Sequence, residues 1–389
     1  MIFRRSLFVA AIVVAVISLL PMFVGAVAVQ ATGLPAEISD KEFWRLIVEL
    51  SEPGGSYPYE NFVSNELQVQ DVIPALKVTM KPGGVYIGVG PEQNFTYVAA
   101  LQSKLAFVID IRRQNMLELL MYKALFELSP DRADFVGRLF SRERPAGLDT
   151  KTSPADLFNA YRNAKADADL HAKNLQAIKT SMTKHGYSLS DDDLSKIEHV
   201  YDVFYQGGPG INYAFASPST PPNLAGSPGY ARMMNSTDAA GRNSAFLANE
   251  ENYQYVREMQ RKNLIVPLVG DFAGPAAIRN VARYLKERNS TVTVFYISNV
   301  EYYLDDAQRQ VFYANVAALP VTSSSMFIRH ILGNPARLNL TWWRPGMANV
   351  STVAPMSDLI RAVQSGRRPT MQEIIHDTKD PVVLGGLSR

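Results

Sequence analysis

Short apolar runs and helical apolar spacings alternate along much of the chain. Uninterrupted apolar runs predict buried strands at 85–90, 105–111, 263–271 and 292–299. Apolar residues at helical spacing predict helices at 40–50, 66–79, 91–103, 113–128 and 275–288. Strands that alternate with helices across short connections form parallel sheets with right-handed crossovers. The sequence therefore predicts an α/β domain in which helices cover both faces of a parallel sheet.

The strand pattern stops between residues 130 and 250. Charged helical stretches and a loop rich in glycine, proline and serine replace it, at 155–184, 191–205 and 207–229. This segment is predicted to be a mostly helical insertion. Weaker strand patterns at 325–332 and 338–343 are candidates for the far edge of the sheet, and the polar tail after residue 365 is expected to be peripheral.

The N-terminal segment has the pattern of a signal peptide or a membrane anchor. Arg4 and Arg5 precede an uncharged stretch, 6–31, which exceeds the roughly 20 residues that cross a bilayer as a helix. Small residues at 26–28 and 29–31 match a signal-peptidase site. Because basic flanks stay inside, residues 32–389 are predicted to be a single exported domain, either periplasmic or anchored facing outward.

Charge and composition exclude several classes of function. The 39 Lys and Arg residues against 37 Asp and Glu residues give a formal charge of +2, too balanced for nucleic-acid binding through a basic surface. The absence of cysteine excludes disulfides and thiolate chemistry. The five histidines have no metal-ligand spacing, so no metal is predicted. A small molecule is the expected partner, together with the membrane if the leader is not cleaved.

A glycine pair and an acidic residue carry the most informative motif. Gly88 and Gly90 end the first predicted strand, and Asp110 ends the second, 20 residues after Gly90. Glycines let a ligand approach the backbone, and an acid at the next strand end can accept hydrogen bonds from ribose hydroxyls. This arrangement suits adenosine-type ligands. The alternative is a tight strand-to-helix turn, with Asp110 capping the next helix.

With YIGVG at 86–90 and VID at 108–110, the chain resembles class I S-adenosylmethionine-dependent methyltransferases. Longer strings resemble more closely an uncharacterised family of exported bacterial proteins, some of them spirochaete lipoproteins, with a methyltransferase-like fold: SEPGG, SNE, YIGVGPEQNF, AFVIDIRRQN, LIVPLVGDFAGP and FYISNVEYYL. The resemblance implies a Rossmann-like sheet of the methyltransferase type and S-adenosylmethionine as cofactor. The residues it implies for cofactor binding are Gly88, Gly90, Glu92, Asp110 and Ile111.

Two further polar residues follow predicted strands. Asp271 and Asn299 are expected at the carboxyl ends of their strands, the edge at which open α/β sheets bind ligands. In a methyltransferase, Asp271 would be the base and Asn299 an orienting group; the alternative is that Asp271 caps a helix. The early loop, with Tyr57, Asn65 and Glu66, is expected to fold over the same edge.

The sequence leaves two functions open, a methyltransferase-like enzyme and a non-catalytic envelope-associated binding protein with the same fold. Methyltransferases usually carry an acid and a third glycine at the positions of Tyr86 and Glu92, and the missing acid favours the second function. A dinucleotide enzyme is a weaker option. Arg112 and Arg113 suggest a 2′-phosphate site, but bulky Gln93 stands where the dinucleotide fingerprint needs a small residue.

Overall fold

Six strands form one mixed sheet whose spatial order is β3-β2-β1-β4-β5-β6. In the computed structural model the strands are β1 Val85–Gly88, β2 Leu105–Asp110, β3 Ile265–Val269, β4 Val292–Ser298, β5 Val321–Ile331 and β6 Val350–Pro355. The first five strands run parallel, and β6 pairs antiparallel with β5. The prediction of an α/β domain with a parallel sheet is confirmed, except for the antiparallel edge strand.

The structure describes residues 33–215, 226–333, 340, 342 and 349–386. Backbone contacts group residues 32–389 into one unit. The predicted leader, most of the loop at 217–229 and most of the strand candidate at 338–343 lie outside the described residues. Among the residues that are described, no helix is both long and apolar enough to cross a membrane.

Fifteen helices occur in the described part of the chain. They are α1 Asp40–Leu50, α2 Val72–Thr79, α3 Gln93–Leu101, α4 Arg113–Leu128, α5 Arg132–Leu139, α6 Pro154–Asn163, α7 Ala168–Lys184, α8 Asp191–Gly207, α9 Tyr230–Met234, α10 Glu250–Arg261, α11 Ala277–Glu287, α12 Asp306–Ala317, α13 Met356–Gln364, α14 Met371–His376 and α15 Pro381–Leu384. All five predicted helices outside the insertion exist. The second begins later than predicted, at Val72, because a 3₁₀ turn occupies Val69–Asp71.

The segment from 130 to 250 adds helices α5 to α9, and within its described residues it adds no strand to the sheet. Helices α5, α7 and α8 pack against α4. As a result α4 is buried on nearly every side, including the polar residues Asn115, Glu118 and Lys123. The apolar spacing at 113–128 predicts that one face of α4 is buried. In the structure more than one face is buried, because both the sheet and the insertion cover the helix.

The C-terminal tail is part of the folded core, and the prediction that it is peripheral is wrong. Ile374, Ile375 and Val382 are buried, and α15 packs against α2 and β6. The tail looked peripheral because its apolar residues are few and separated by polar ones. Short helices α14 and α15 collect those residues on one side, where they cover the β6 edge of the sheet.

The strand order places a topological switch point between β1 and β4. The chain proceeds from β1 outward to β2 and β3, and from β4 outward to β5, so successive crossovers lead away from the β1–β4 pair in opposite directions. Loops that leave neighbouring parallel strands in opposite directions leave a crevice at the carboxyl ends of those strands. The candidate site lies there.

Candidate functional site

A cavity of about 450 Å³ lies at the carboxyl ends of β1, β2, β3 and β4. We call it the switch-point cavity. Each strand supplies lining residues at or just beyond its end, listed in strand order as Gly90, Asp110, Asp271 and Ser298. A second, more open depression of about 770 Å³ lies on the insertion, between residues 143 and 169, and contains none of the predicted site residues.

The glycine loop after β1 is held by the side chain of Asn94. Its Nδ2 donates hydrogen bonds to the carbonyl oxygens of Val89, Gly90 and Pro91, at 3.0, 3.1 and 2.7 Å. Gly90 has a φ of +79° and, among the described residues, no atom within 4 Å of where a β-carbon would stand, and it lines the cavity. Gly88 does not line the cavity. A β-carbon there would overlap the Asn94 side chain, so Gly88 serves packing.

Glu92 does not line the switch-point cavity, which contradicts its predicted place in the cofactor site. Its side chain is fully buried, and both carboxylate oxygens lie 3.3 Å from the backbone N–H of Ser64, which donates to them. Burial raises the pKa of Glu92 to about 8. Glu92 stands immediately before α3, and its side chain accepts the Ser64 N–H of the early loop, so it holds that loop in place.

Asp110 lines the cavity and is paired with Arg112. The Asp110 Oδ1 accepts the Arg112 backbone N–H at 2.8 Å and Nε at 3.1 Å, and Oδ2 accepts Nη2 at 3.2 Å. Both side chains are buried. A carboxylate offers about four lone-pair positions, so this pairing leaves Asp110 able to accept about one further hydrogen bond. Ile111, between them in sequence, also lines the cavity.

Asp271 lines the cavity and does not cap helix α11, whose N-cap is Ala276. Its Oδ1 accepts the N–H of Ala273 at 2.8 Å. Glu52 performs the capping role instead, because its Oε2 accepts the N–H groups of Ala276 and Ala277. The helix-cap alternative for Asp271 is therefore wrong, and Glu52 is a supporting residue that the sequence analysis missed.

The end of β4 is conformationally strained beside the cavity. Ser298 has a φ of +50°, an uncommon conformation for a residue with a side chain. Its hydroxyl donates a hydrogen bond to Oε1 of Glu66. Asn299, which follows it, lines the cavity together with Tyr296. Backbone strain of this kind often occurs at functional sites, where the surrounding structure holds it in place.

The early loop does fold over this edge of the sheet, as the sequence predicted. Tyr57, Asn65 and Glu66 all line the cavity. The Tyr57 hydroxyl lies 3.0 Å from that of Tyr303 and 3.2 Å from that of Tyr213, so three distant segments meet at the rim. Tyr213 belongs to the insertion, and no motif near it indicated a place in the site.

Residues 61–380 match a family described as a domain of unknown function (DUF7790). The chain belongs to this uncharacterised family. The matched segment contains the whole sheet, the insertion and every lining residue of the cavity except Ser56, Tyr57 and Pro58. No curated protein matches the chain.

The cavity of this DUF7790 chain has an acidic lining. Among the described residues that line it, the carboxylates are Glu66, Asp110 and Asp271, and the only basic side chain is Arg112. Since Arg112 is already bound to Asp110, the lining has an excess of negative charge. In the part of the chain that the structure describes, no three His, Asp or Glu side chains group as metal ligands would.

Proposed function

We propose that the switch-point cavity binds an adenosine-type ligand, with S-adenosylmethionine as the first candidate, in a methyltransferase-like Rossmann fold. One observation carries this proposal: Gly90 after β1 and Asp110 at the end of β2 line the same cavity. The strand order β3-β2-β1-β4-β5 supports it, because doubly wound sheets with this order bind nucleotides at the switch point. The antiparallel β6 at the edge does not affect this part of the sheet.

Each lining residue has a distinct role in this proposal. Gly90 lets the ligand approach the backbone, since no atom of the described chain lies within 4 Å of the place a β-carbon would take. Asp110 accepts one ribose hydroxyl, and Ile111 provides an apolar contact beside it. A sulfonium ligand suits an acidic lining, whereas the diphosphate of a dinucleotide would meet three carboxylates and no unpaired basic group among the described lining residues.

When bound, S-adenosylmethionine supplies an electrophilic methyl group. The tasks left to the chain are to position an acceptor in line with that group and to take the proton that the acceptor releases. Asp271 is the proposed base, because only one of its oxygens holds a backbone N–H group. Asn299 is the proposed orienting group at the end of the neighbouring strand.

A non-catalytic binding protein is the second candidate, and the surroundings of Tyr86 favour it. Methyltransferases usually carry an acid at this position. Here the Tyr86 hydroxyl donates to Asn94 at 2.8 Å and the residue is buried, so the position contributes no charge to the cavity. A protein that keeps the cavity but lacks this acid would bind a ligand there without catalysing a reaction on it.

Isothermal calorimetry on the purified full-length protein tests the proposal. The titrants are S-adenosylmethionine, S-adenosylhomocysteine, NAD and NADP, and the variants are Asp110→Asn and, as a matched control, Asp169→Asn on the exposed start of α7. We expect saturable binding of the two S-adenosyl compounds, weakened at least tenfold by Asp110→Asn and unchanged by Asp169→Asn. Failure of all four titrants to bind would overturn the proposal.

We also propose that residues 1–31 export the domain, since Arg4 and Arg5 flank an uncharged stretch long enough to span a membrane. An alkaline phosphatase fused after residue 40 in a bacterial host should be active only if the leader translocates it. Replacement of Val13 and Val14 by arginine should abolish that activity. An inactive fusion with the natural leader would contradict export.

A further inference from the structure

Glu66 is a buried carboxylate, and one of its oxygens has no hydrogen-bond partner among the residues that the structure describes. The residue is 3% exposed and lines the switch-point cavity. Its Oε1 accepts the Ser298 hydroxyl, but Oε2 accepts no hydrogen bond from any group in the described part of the chain. Nδ1 of His330 lies 3.5 Å from Oε2, within ion-pair distance, and 3.2 Å from the Ser351 hydroxyl. A buried carboxylate that accepts a single hydrogen bond keeps lone pairs for further donors, and because Glu66 lines the cavity, a ligand there can supply one.

Two buried tyrosines lie close enough to this carboxylate to be affected by its charge. Tyr296 lines the cavity and is 3% exposed, and Tyr97 packs against it with ring centroids 5.2 Å apart. Burial raises the pKa of both phenols well above the usual value, and the charge of Glu66 raises it further. The two phenols therefore remain neutral. Tyr296 lines the cavity and Tyr97 does not, so it is the Tyr296 ring that can attract an organic cation there.

We propose that Glu66 binds the cationic nitrogen of a small organic amine that enters the switch-point cavity. An ammonium group would donate a further hydrogen bond to the Glu66 carboxylate, and the acidic lining would favour its positive charge over a neutral ligand. The inference rests on the proposed function, because it names the class of the second ligand, the methyl acceptor, in the same cavity. Glu66 belongs to the early loop and the proposed nucleoside contacts to β1 and β2, so the two ligands would use different residues.

The test compares two probes of nearly equal size, 1,4-diaminobutane and 1,4-butanediol, by calorimetry on the full-length protein. We expect the diamine to bind saturably and the diol at least tenfold more weakly. Glu66→Gln should weaken diamine binding at least tenfold. The matched control is Glu60→Gln, which removes a carboxylate that pairs with His199 outside the cavity lining and should leave diamine binding unchanged.

Equal binding of diamine and diol, or no binding of the diamine, would overturn the inference. Both comparisons use the wild-type protein, so they decide the matter even if Glu66→Gln does not fold. Diamine binding that survives Glu66→Gln would also overturn it. Nucleoside titrations of the same sample separate the two proposals: nucleoside binding without diamine binding refutes the amine site alone, and diamine binding without nucleoside binding refutes the nucleoside proposal alone.

Discussion

The backbone of Gly88 lies directly against the side-chain amide of Asn94. A β-carbon at residue 88 would overlap the Asn94 Oδ1 and come within 2.7 Å of the Tyr86 hydroxyl. Because the Asn94 amide donates to three successive carbonyl groups of the loop after β1, this close approach sets the shape of the cavity wall. Gly88 is therefore required for the position of Asn94.

Gly88→Ala should destabilise the protein by about 1–3 kcal/mol, the usual cost of inserting a methyl group where there is no room. Urea unfolding of the full-length protein measures the change. Gly210→Ala is the matched control, because its β-carbon would meet no atom of a described residue within 4 Å and its φ is not positive. In an Asn94→Ala background the cost of Gly88→Ala should fall. An equal cost in both backgrounds would mean that Asn94 is not the constraint.

The central strands could be predicted from sequence, and the edge strand could not. Strands β1 to β4 are buried on both faces, so each is a nearly continuous apolar run. Strand β6 has the sequence VSTVAP, whose mixed pattern is a strand here because β5 pairs with it. Helix α12 was also missed. Its four buried residues are Phe312, Tyr313, Asn315 and Val316, and four residues so close together do not give a clear helical period.

Glu92→Gln should make the protein more stable at neutral pH. The folded-state pKa of about 8 lies above the ordinary 4.5 because the carboxyl is buried. Folding therefore favours the protonated form, and the wild-type stability falls as pH rises from about 4.5 through about 8. Glutamine cannot titrate, so the gain over wild type should be under about 1 kcal/mol at pH 5 and about 3 kcal/mol at pH 7.

Urea unfolding between pH 5 and pH 8 checks this expectation. Glu143→Gln is the matched control, since Glu143 is exposed and its replacement should leave the pH dependence unchanged. An identical pH slope in Glu92→Gln and wild type would show that Glu92 is ionised in the folded protein. Glu118, whose pKa burial also raises, adds a slope of the same sign, so the slope should shrink without vanishing.

Two glutamates near the cavity show what sequence can predict about a site. Glu92 follows shortly after the glycine motif, so the sequence predicted that it contacts a ligand. In the structure its carboxylate accepts the N–H of Ser64 and does not line the cavity. Glu66 stands in an irregular loop, and the sequence could suggest only that the loop folds over the edge. Its place opposite Ser298 depends on contacts between segments more than two hundred residues apart, which no local pattern encodes.

Glu52→Ala should loosen the loop between β3 and α11. The Glu52 carboxylate accepts three backbone N–H groups, from Asp271 at 2.8 Å, Ala276 at 2.6 Å and Ala277 at 3.1 Å. Removing an ionised acceptor from partly buried donors costs about 2 kcal/mol, which urea unfolding would detect. The control is Glu49→Ala, an exposed partner of Arg45 whose loss should cost under about 1 kcal/mol.

Glu52→Ala should also weaken any ligand that contacts Asp271, because the backbone of Asp271 would lose its anchor. Calorimetry with whichever of the four nucleoside titrants binds most tightly measures this loss of affinity. Glu52→Gln should weaken binding less than Glu52→Ala, because its amide oxygen still accepts one or two of the N–H groups. A stability loss equal to that of Glu49→Ala would contradict the proposed role of Glu52.

His185 should give the protein a stability that depends on pH. Its Nε2 lies 2.7 Å from Oε2 of Glu127 and its Nδ1 lies 2.9 Å from Oδ2 of Asp40, so the ring connects α1, α4 and the end of α7. The hydrogen bond to Glu127 outweighs partial burial and raises the pKa of His185 above the ordinary 6.5. The charged ring is therefore the form that the folded state favours. Its contribution is complete below about pH 6.5 and is lost as pH rises through the higher folded-state value.

His185→Gln should accordingly cost more stability at pH 6 than at pH 9, as measured by urea unfolding at the two values. His376→Gln, at an exposed position at the end of α14, is the matched control and should change stability equally little at both. An equal loss of stability at pH 6 and pH 9 would mean that the His185 ring stabilises the fold by packing on Tyr187. The centroids of these two stacked rings are 5.4 Å apart. In that case charge would not be the source of its stabilising effect.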